Sequence, residues 1–373
     1  MAIELGSSGA TSLASFLGVD WMGALPKTMP ALRKLKREPG LTFVPEVTLP
    51  KPGPRDVLVR VTHAGICGTD RHIFEWDKWS QQRVKIGITT GHEFCGIVEQ
   101  TGDAVTRVAK GTRVSAEGHV TCGKCEQCRT GNGHICNEVK ILGIDTDGCF
   151  ASYLLVPEEN IWPVHEKISD KIAAVFDPLG NAVHTVMTAG VSGKSVLITG
   201  VGIIGLMAVT VAKAAGAGSI FVTDVDPNRL KLARELGANE AFDGRQPWVE
   251  DVRKLCGGSG PQVLLEMSGN ARAIHDGFTA LRNGGTAALL GIPSDQIQFD
   301  WTNHLIFKGA TVHGINGRRM FETWYQMENL LLSGKLQLDP IITHLIEMSD
   351  FEKGFRMMQS GDAIKVVMNI PRA

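Results

Sequence analysis

The feature that most restricts the fold of this chain is Gly200-Val201-Gly202-Ile203-Ile204-Gly205. It follows an apolar run, Ser195 to Thr199, that reads as a buried strand, and it opens an apolar stretch of helical length. In that setting Gly200 makes the turn, Gly202 lets backbone approach a pyrophosphate, and Gly205 lets helix pack on strand. The helix N-terminus supplies amides and a positive dipole end for the phosphates. The next strand, Ser219 to Val222, delivers Thr223 and Asp224 at about the ~20-residue interval expected of a ribose-binding acid. Asp224 there accepts from both ribose hydroxyls and repels a 2′-phosphate, which favours NAD over NADP. Arg229 is the counter-signal, because a nearby arginine can accommodate that phosphate.

Downstream, Pro227 to Leu236, Trp248 to Leu255 and Asn270 to Leu281 read as helices. They alternate with strands at Ala241-Phe242, Val263 to Met267 and Thr286 to Leu290, predicting a doubly wound α/β sheet. Upstream, Ser169 can cap a helix running toward Ala189. Met320 to Leu332 has an apolar helical stripe, and the tail is strand-like from Ile341 to Ile346 and from Ile364 to Ile370.

The N-terminal half has a different grain. Leu41 to Val47, Asp56 to Ile66, Phe94 to Thr101, Arg113 to Glu117 and Cys149 to Val156 are short strands between glycine turns, which suggests an antiparallel, barrel-like domain. Within it, Cys122, Cys125, Cys128 and Cys136 can close a tetrahedral shell with no open position, a structural zinc site. Iron–sulfur runs have other spacings and often a proline after the last cysteine, whereas Asn137 follows Cys136. Cys67, His92 and Glu93 form a second set, mixed in type and distant in sequence, as expected of a catalytic zinc that keeps a position open. A lone cysteine is usually core; the weight comes from its place upstream of the cysteine lobe and the dinucleotide unit.

A chain of 373 residues can form two domains, and a net charge of −1 argues against nucleic acid or membrane surfaces as charge-driven partners. Beyond the two metal sets, Cys95, Cys149 and Cys256 are scattered and read as reduced packing residues, which fits a cytoplasmic protein. Leu13 to Leu25 is mildly apolar, but Asp20 interrupts it and no basic start precedes it. It is too short for a bilayer and lacks the opening of a signal peptide. Residues 1–30 are therefore expected to be an extension ahead of the fold.

Taken together, Cys67-Gly68-Thr69-Asp70, Gly91-His92-Glu93, the cysteine lobe and the glycine motif resemble the zinc-dependent medium-chain dehydrogenases. A narrower likeness, to the branch that oxidises L-threonine, rests on four segments. They are Trp76-Asp77-Lys78-Trp79-Ser80, Glu117-Gly118-His119, Phe176-Asp177-Pro178 with Gly180-Asn181-Ala182-Val183-His184, and Phe321-Glu322-Thr323-Trp324-Tyr325. The likeness runs from Lys34 to the C-terminus.

It implies an α/β chain with a partly open β-barrel catalytic domain (31–172, metal lobe about 118–138), a Rossmann NAD-binding domain (173–320) and a return of 321–373 to the catalytic domain. It also implies one catalytic and one structural zinc, NAD, a small-molecule substrate and a homo-oligomer, commonly a tetramer. Cys67, His92 and Glu93 would hold the catalytic zinc, with Asp177 beside it or as an alternative fourth ligand. Thr69 and His72 would relay the proton, and His119 would lie near the substrate. Gly200, Gly202, Ile204, Gly205, Asp224 and Arg229 would contact NAD, with Leu290-Gly291-Ile292 and Ile315-Asn316 toward the nicotinamide. Asn316 departs from the aromatic expected there.

The implied reaction converts L-threonine to 2-amino-3-oxobutanoate. A polyol or 2,3-butanediol dehydrogenase would use the same machinery, and a non-enzymatic NAD-binding redox sensor would keep only the fold. Each residue also has a plainer role open to it: Thr69 as a helix cap, His72 as a surface histidine, His119 as support for the lobe, Asp177 as a cap.

Overall fold

The computed structural model describes residues 25–373, and the two halves of the sequence become two main sheets. Most of the apolar run Leu13 to Leu25, like the rest of residues 1–24, lies outside the described residues. The expected boundary at residue 30 is corrected: Thr28–Lys34 is already a strand, paired antiparallel with Thr42–Thr48. Met29, Ala31 and Leu32 are buried, so this segment belongs to the barrel core and not to an extension. Its short apolar pattern, broken by Pro30, hid it among its neighbours.

The larger barrel sheet runs, in spatial order, Ile161–Pro163, Arg113–Ala116, Glu93–Thr101, Asp56–Gly65, Val366–Asn369 and His344–Glu347, with Tyr153–Pro157 also on Asp56–Gly65. Asp56–Gly65 is central because Val57, Leu58 and Val59 are all fully buried, and it reads as a core strand with neighbours on both sides. Val367 to Asn369 pairs with His63 to Gly65, so the last strand lies in this same sheet. The strand expected from Cys149 starts later, at Tyr153. Cys149 and Phe150 instead give their amides to the Gly91 and Thr90 carbonyls, closing the loop in front of His92.

The second sheet has six parallel strands in the order Glu240–Asp243, Ser219–Asp224, Ser195–Thr199, Val263–Glu266, Thr286–Leu289, Thr311–Gly314. The last of these was not legible in the sequence, because its residues are mostly exposed at the sheet edge. The single helix expected from Ser169 to Ala189 is two, Asp170–Ala173 and Phe176–Ala189. Pro178 explains the break, since its ring would collide with a helical carbonyl at Ala174. Ser169 holds the cap position, but its side chain makes no cap hydrogen bond. Helices Phe176–Ala189 and Ile203–Ala214 bury their apolar faces against the sheet, and Trp324 from helix Glu322–Leu332 packs on Phe176.

Candidate active site

Cys67 follows the central barrel strand and stands at the N-cap of helix Gly68–Glu75, while Glu93 opens the adjacent strand and pairs with Gly65 across the sheet. That pairing brings together residues the sequence separates. One ligand atom from each of Cys67, His92 and Glu93 lies within 4.8 Å of the others. Asp70 Oδ2 accepts from the Cys67 amide at 2.9 Å, and Asp70 Oδ1 stands 3.7 Å from His92 Nδ1. Glu93 is ion-paired with Lys365 Nζ, which also donates to the Ile66 carbonyl at 2.7 Å. Asp177 stands outside the trio, with its Oδ2 held by Arg318 Nη1 at 2.6 Å.

These residues fit a divalent cation. Around the trio, among the described residues, buried Asp70, Glu93, Glu117 and Asp177 face two buried cations, Lys365 and Arg318. His92 Nδ1 and Glu93 Oε1 are buried without a hydrogen-bond partner. Burial pushes the carboxyls of Asp70 and Glu93 up, opposed by His92 at the first and Lys365 at the second. A metal ion supplies both the missing charge and the missing partners.

The cysteine lobe answers in the same way. The sulfurs of Cys122, Cys125, Cys128 and Cys136 also lie within 4.8 Å of one another. Amides of Cys122 and Glu138 point at Cys136 Sγ (3.4 and 3.3 Å), and that of Cys125 at Cys122 Sγ (3.4 Å). Backbone hydrogen bonds pull the Cys125 thiol down to about 6, while Cys128 is pushed up to about 12 by desolvation and by its bonds to the other sulfurs. Four neighbouring thiols cannot all ionise unaided, and a closed zinc shell removes that conflict.

The proposed relay residues sit on helix Gly68–Glu75, three positions apart. Thr69 is partly buried and His72 exposed, with His72 Nδ1 turned to Asp77 Oδ2 at 2.7 Å. His119 belongs to a buried charge network that its own surroundings in the sequence did not reveal. Its Nδ1 lies 2.7 Å from Glu117 Oε1 and 2.9 Å from Arg318 Nη2. Arg318 Nε donates to Glu117 Oε2 at 2.8 Å, and Trp324 Nε1 donates to the same oxygen at 2.9 Å. Burial alone would raise the Glu117 carboxyl, but Arg318 and His119 outweigh it and hold it well below the ordinary carboxylate range. Gly180 makes room for this arginine: a Cβ there would lie 2.6 Å from Arg318 Cδ. Arg318 and Lys365 are the functional neighbours that sequence reasoning missed. The only trace of Arg318 was its place just after Asn316, and Lys365 left none. His184 takes the plain role of a core hydrogen-bonding group, with Nδ1 2.8 Å from the Gly317 carbonyl.

The residues expected to contact the nucleotide gather at one edge of the parallel sheet, where the C-terminal ends of the strands lie. Gly200 has φ +85, and a Cβ at Gly205 would collide with the Gly200 carbonyl. Among the described residues, none beyond its own chain neighbours comes within 4 Å of a Cβ built on Gly202, so the turn is open where a pyrophosphate would approach. Asp224 ends the neighbouring strand and braces the turn, its Oδ2 accepting from the Val201 amide at 2.7 Å. Ile204 is partly buried against the core, and Arg229 lies 3.6 Å from Asp226. Leu290-Gly291-Ile292 and Ile315-Asn316 leave the ends of strands Thr286–Leu289 and Thr311–Gly314, with Ile292 90% exposed and Asn316 exposed.

Residues 53–166 match the family model described as alcohol dehydrogenase GroES-like domain, and residues 204–333 that of zinc-binding dehydrogenase. An L-threonine 3-dehydrogenase from Rhizobium etli (strain CIAT 652) is 47% identical over 342 residues, which cover 91% of this chain and 98% of the relative. Among solved structures, a zinc-binding dehydrogenase from Sinorhizobium meliloti 1021 bound to NADP superposes with a TM-score of 0.85 at 29% identity, covering 93% of this chain and 100% of that one. An alcohol dehydrogenase from Thermus sp. ATN1 gives 0.84 at 28% identity, with 92% and 100% covered.

The chain belongs to the zinc-binding dehydrogenase family, the zinc-dependent medium-chain oxidoreductases that act on alcohols. It is a dehydrogenase with zinc and a nicotinamide dinucleotide as its cofactors, acting on a small molecule. Within the family, it is most informatively compared with relatives at 45–47% identity that carry the name L-threonine 3-dehydrogenase. Among the described residues no helix is long and apolar enough to cross a membrane.

Proposed function

We propose that this enzyme oxidises L-threonine at its secondary hydroxyl to 2-amino-3-oxobutanoate, with NAD as the acceptor. The observation that carries the substrate is the 47% identity, over nine-tenths of the chain, to a relative of that name. Cys67, His92 and Glu93 would hold the catalytic zinc. When bound, zinc supplies Lewis acidity toward the substrate hydroxyl and the nicotinamide supplies the hydride acceptor. Thr69 and His72, on one turn of helix, would carry the hydroxyl proton outward. Arg318 Nη1 holds Asp177 Oδ2 at 2.6 Å, and Glu117 fixes the His119 ring.

NAD is supported over NADP by the acid at the end of strand Ser219–Asp224. Arg229 gives no counterweight, because Asp226 faces its guanidinium. A homo-oligomer, a tetramer by resemblance, is supported by exposed Val312 on the sheet-edge strand and by exposed Trp301, Ile306 and Phe307 in the segment before it. A cytoplasmic location fits two sites that need reduced cysteines. Steady-state kinetics of zinc-replete protein with L-threonine, sorbitol and 2,3-butanediol, each with NAD and NADP, test the reading. L-threonine with NAD should give the highest kcat/KM. Efficient oxidation of sorbitol or butanediol with L-threonine untouched would overturn the substrate and leave the zinc dehydrogenase standing.

A further inference from the structure

Trp76 is the only non-glycine residue with positive φ among the described residues (φ 56). A bulky side chain in that region is a conformational outlier, and such outliers collect where a site needs a particular geometry. Here the left-handed residue ends helix Gly68–Glu75 and reverses the chain, so that its own amide and those after it turn back onto the helix. The Trp76 amide and the Ser80 hydroxyl (2.6 Å) both donate to the His72 carbonyl. The reversal is anchored, since Trp76 is buried and Lys34 Nζ lies 4.6 Å from its ring centroid. Its result is to bring Asp77, the N-cap of helix Lys78–Arg83, against the side chain of His72.

Asp77 divides its two oxygens between two tasks. Oδ1 accepts from the Ser80 amide and hydroxyl, both at 2.9 Å, which is the whole of the capping role. Oδ2 is left for His72 Nδ1 at 2.7 Å, and the Trp79 ring lies 6.2 Å from the imidazole between centroids, inclined at 61°. A carboxylate can only accept, so the hydrogen of this bond belongs to Nδ1. The lone pair of the neutral ring is therefore on Nε2.

We infer that Asp77 is a positioning residue for proton transfer, holding His72 in the Nδ1–H tautomer so that Nε2 is the atom that takes the proton. The inference rests on the relay reading of Thr69 and His72. In that relay the hydroxyl proton passes to His72 Nε2, while the Nδ1 proton stays on the ring in its bond to Asp77. No proton moves to the carboxylate. A pure cap would not need aspartate, because asparagine caps a helix equally well. An asparagine amide, however, can donate to Nδ1 and stabilise the opposite tautomer, with the hydrogen on Nε2.

The test compares zinc-replete Asp77→Asn, His72→Asn and the double variant with the wild type. It reads kcat, the KM for NAD, the melting temperature and the ring-nitrogen shifts of His72 in 15N-histidine-labelled, deuterated protein. Asp77→Asn should lower kcat by about 10–100-fold, part of the 10²–10⁴ available to a positioned acid–base group, with the KM for NAD and the melting temperature unchanged. The His72 spectrum should move from the Nδ1–H to the Nε2–H pattern. The double variant should be no slower than His72→Asn alone, as expected of residues acting as one unit. Loss of turnover in His72→Asn with wild-type turnover and tautomer in Asp77→Asn would overturn the inference and leave the relay intact. Wild-type turnover in His72→Asn would overturn the relay itself. The tautomer spectrum alone would then decide whether Asp77 holds the ring, and an unchanged spectrum would end that claim too.

Discussion

Replacing Arg318 with methionine removes the one cation that two buried carboxylates share. Arg318 is 2% exposed, Glu117 0% and Asp177 9%, and the guanidinium reaches both acids and the His119 ring. Methionine keeps much of the length of the side chain, so packing against Gly180 is largely preserved and the perturbation is electrostatic. Breaking a buried pair by removing one partner costs about 3–5 kcal/mol, because the other charge is left without compensation. With a urea m-value of about 3 kcal/mol/M for a chain of this size, the unfolding midpoint should fall by roughly 1–2 M.

The sign of the pH dependence provides a sharper criterion. In the wild type Glu117 lies well below the ordinary carboxylate value despite its burial. Its stabilisation is therefore present above the unfolded value, about 4.3, and is lost only as pH falls through the depressed one. Without Arg318, burial dominates and the carboxyl moves above its ordinary value. Its stabilisation is then greatest below the unfolded value and is lost as pH rises. The deficit of the variant should be largest at pH 7 and shrink by pH 5. Urea melts of zinc-saturated protein at both pH values measure it. An unchanged midpoint at pH 7, or a deficit equal at the two pH values, would refute the argument.

Two further variants test the metals and the cofactor. Cys125→Ser should lower folding yield and zinc content, whereas Cys67→Ser should keep the fold and lose activity; metal analysis finding one zinc per chain in fully active wild-type protein would contradict the two-site assignment. Asp224→Ala should raise the KM for NAD about tenfold and narrow discrimination against NADP, since it removes both the proposed ribose acceptor and the brace on the Val201 amide. Wild-type discrimination in that variant would mean that Asp224 is not the selector.

Much of this protein was legible in local pattern. The cysteine lobe needs no tertiary information, because its four ligands fall within one short loop and their spacing alone suits a tetrahedral shell. The glycine turn is equally local: φ +85 at Gly200 and the missing Cβ at Gly205 are demands of a strand–turn–helix unit a few residues long. Strand Ser195–Thr199 and helix Pro227–Leu236 were readable because a buried run and an amphipathic period report their own environment. The first strand and the sheet-edge strand Thr311–Gly314 were not, since one is broken by Pro30 and the other is exposed.

What only the tertiary structure decided is how charges separated along the chain meet. The sequence by itself determined the ligand types, the dinucleotide turn and the two-sheet composition of the fold. Nothing local to Arg318 announces that it lies against Glu117 and Asp177, residues brought in by the barrel and by helix Phe176–Ala189. Lys365 meets Glu93 because the C-terminal strand pairs with the end of Asp56–Gly65. Asp77 meets His72 because one left-handed residue, Trp76, turns the chain back. Periodicity records whether a position is buried, but the partner of a buried charge depends on sheet pairing and chain reversal, and those are properties of the assembled fold.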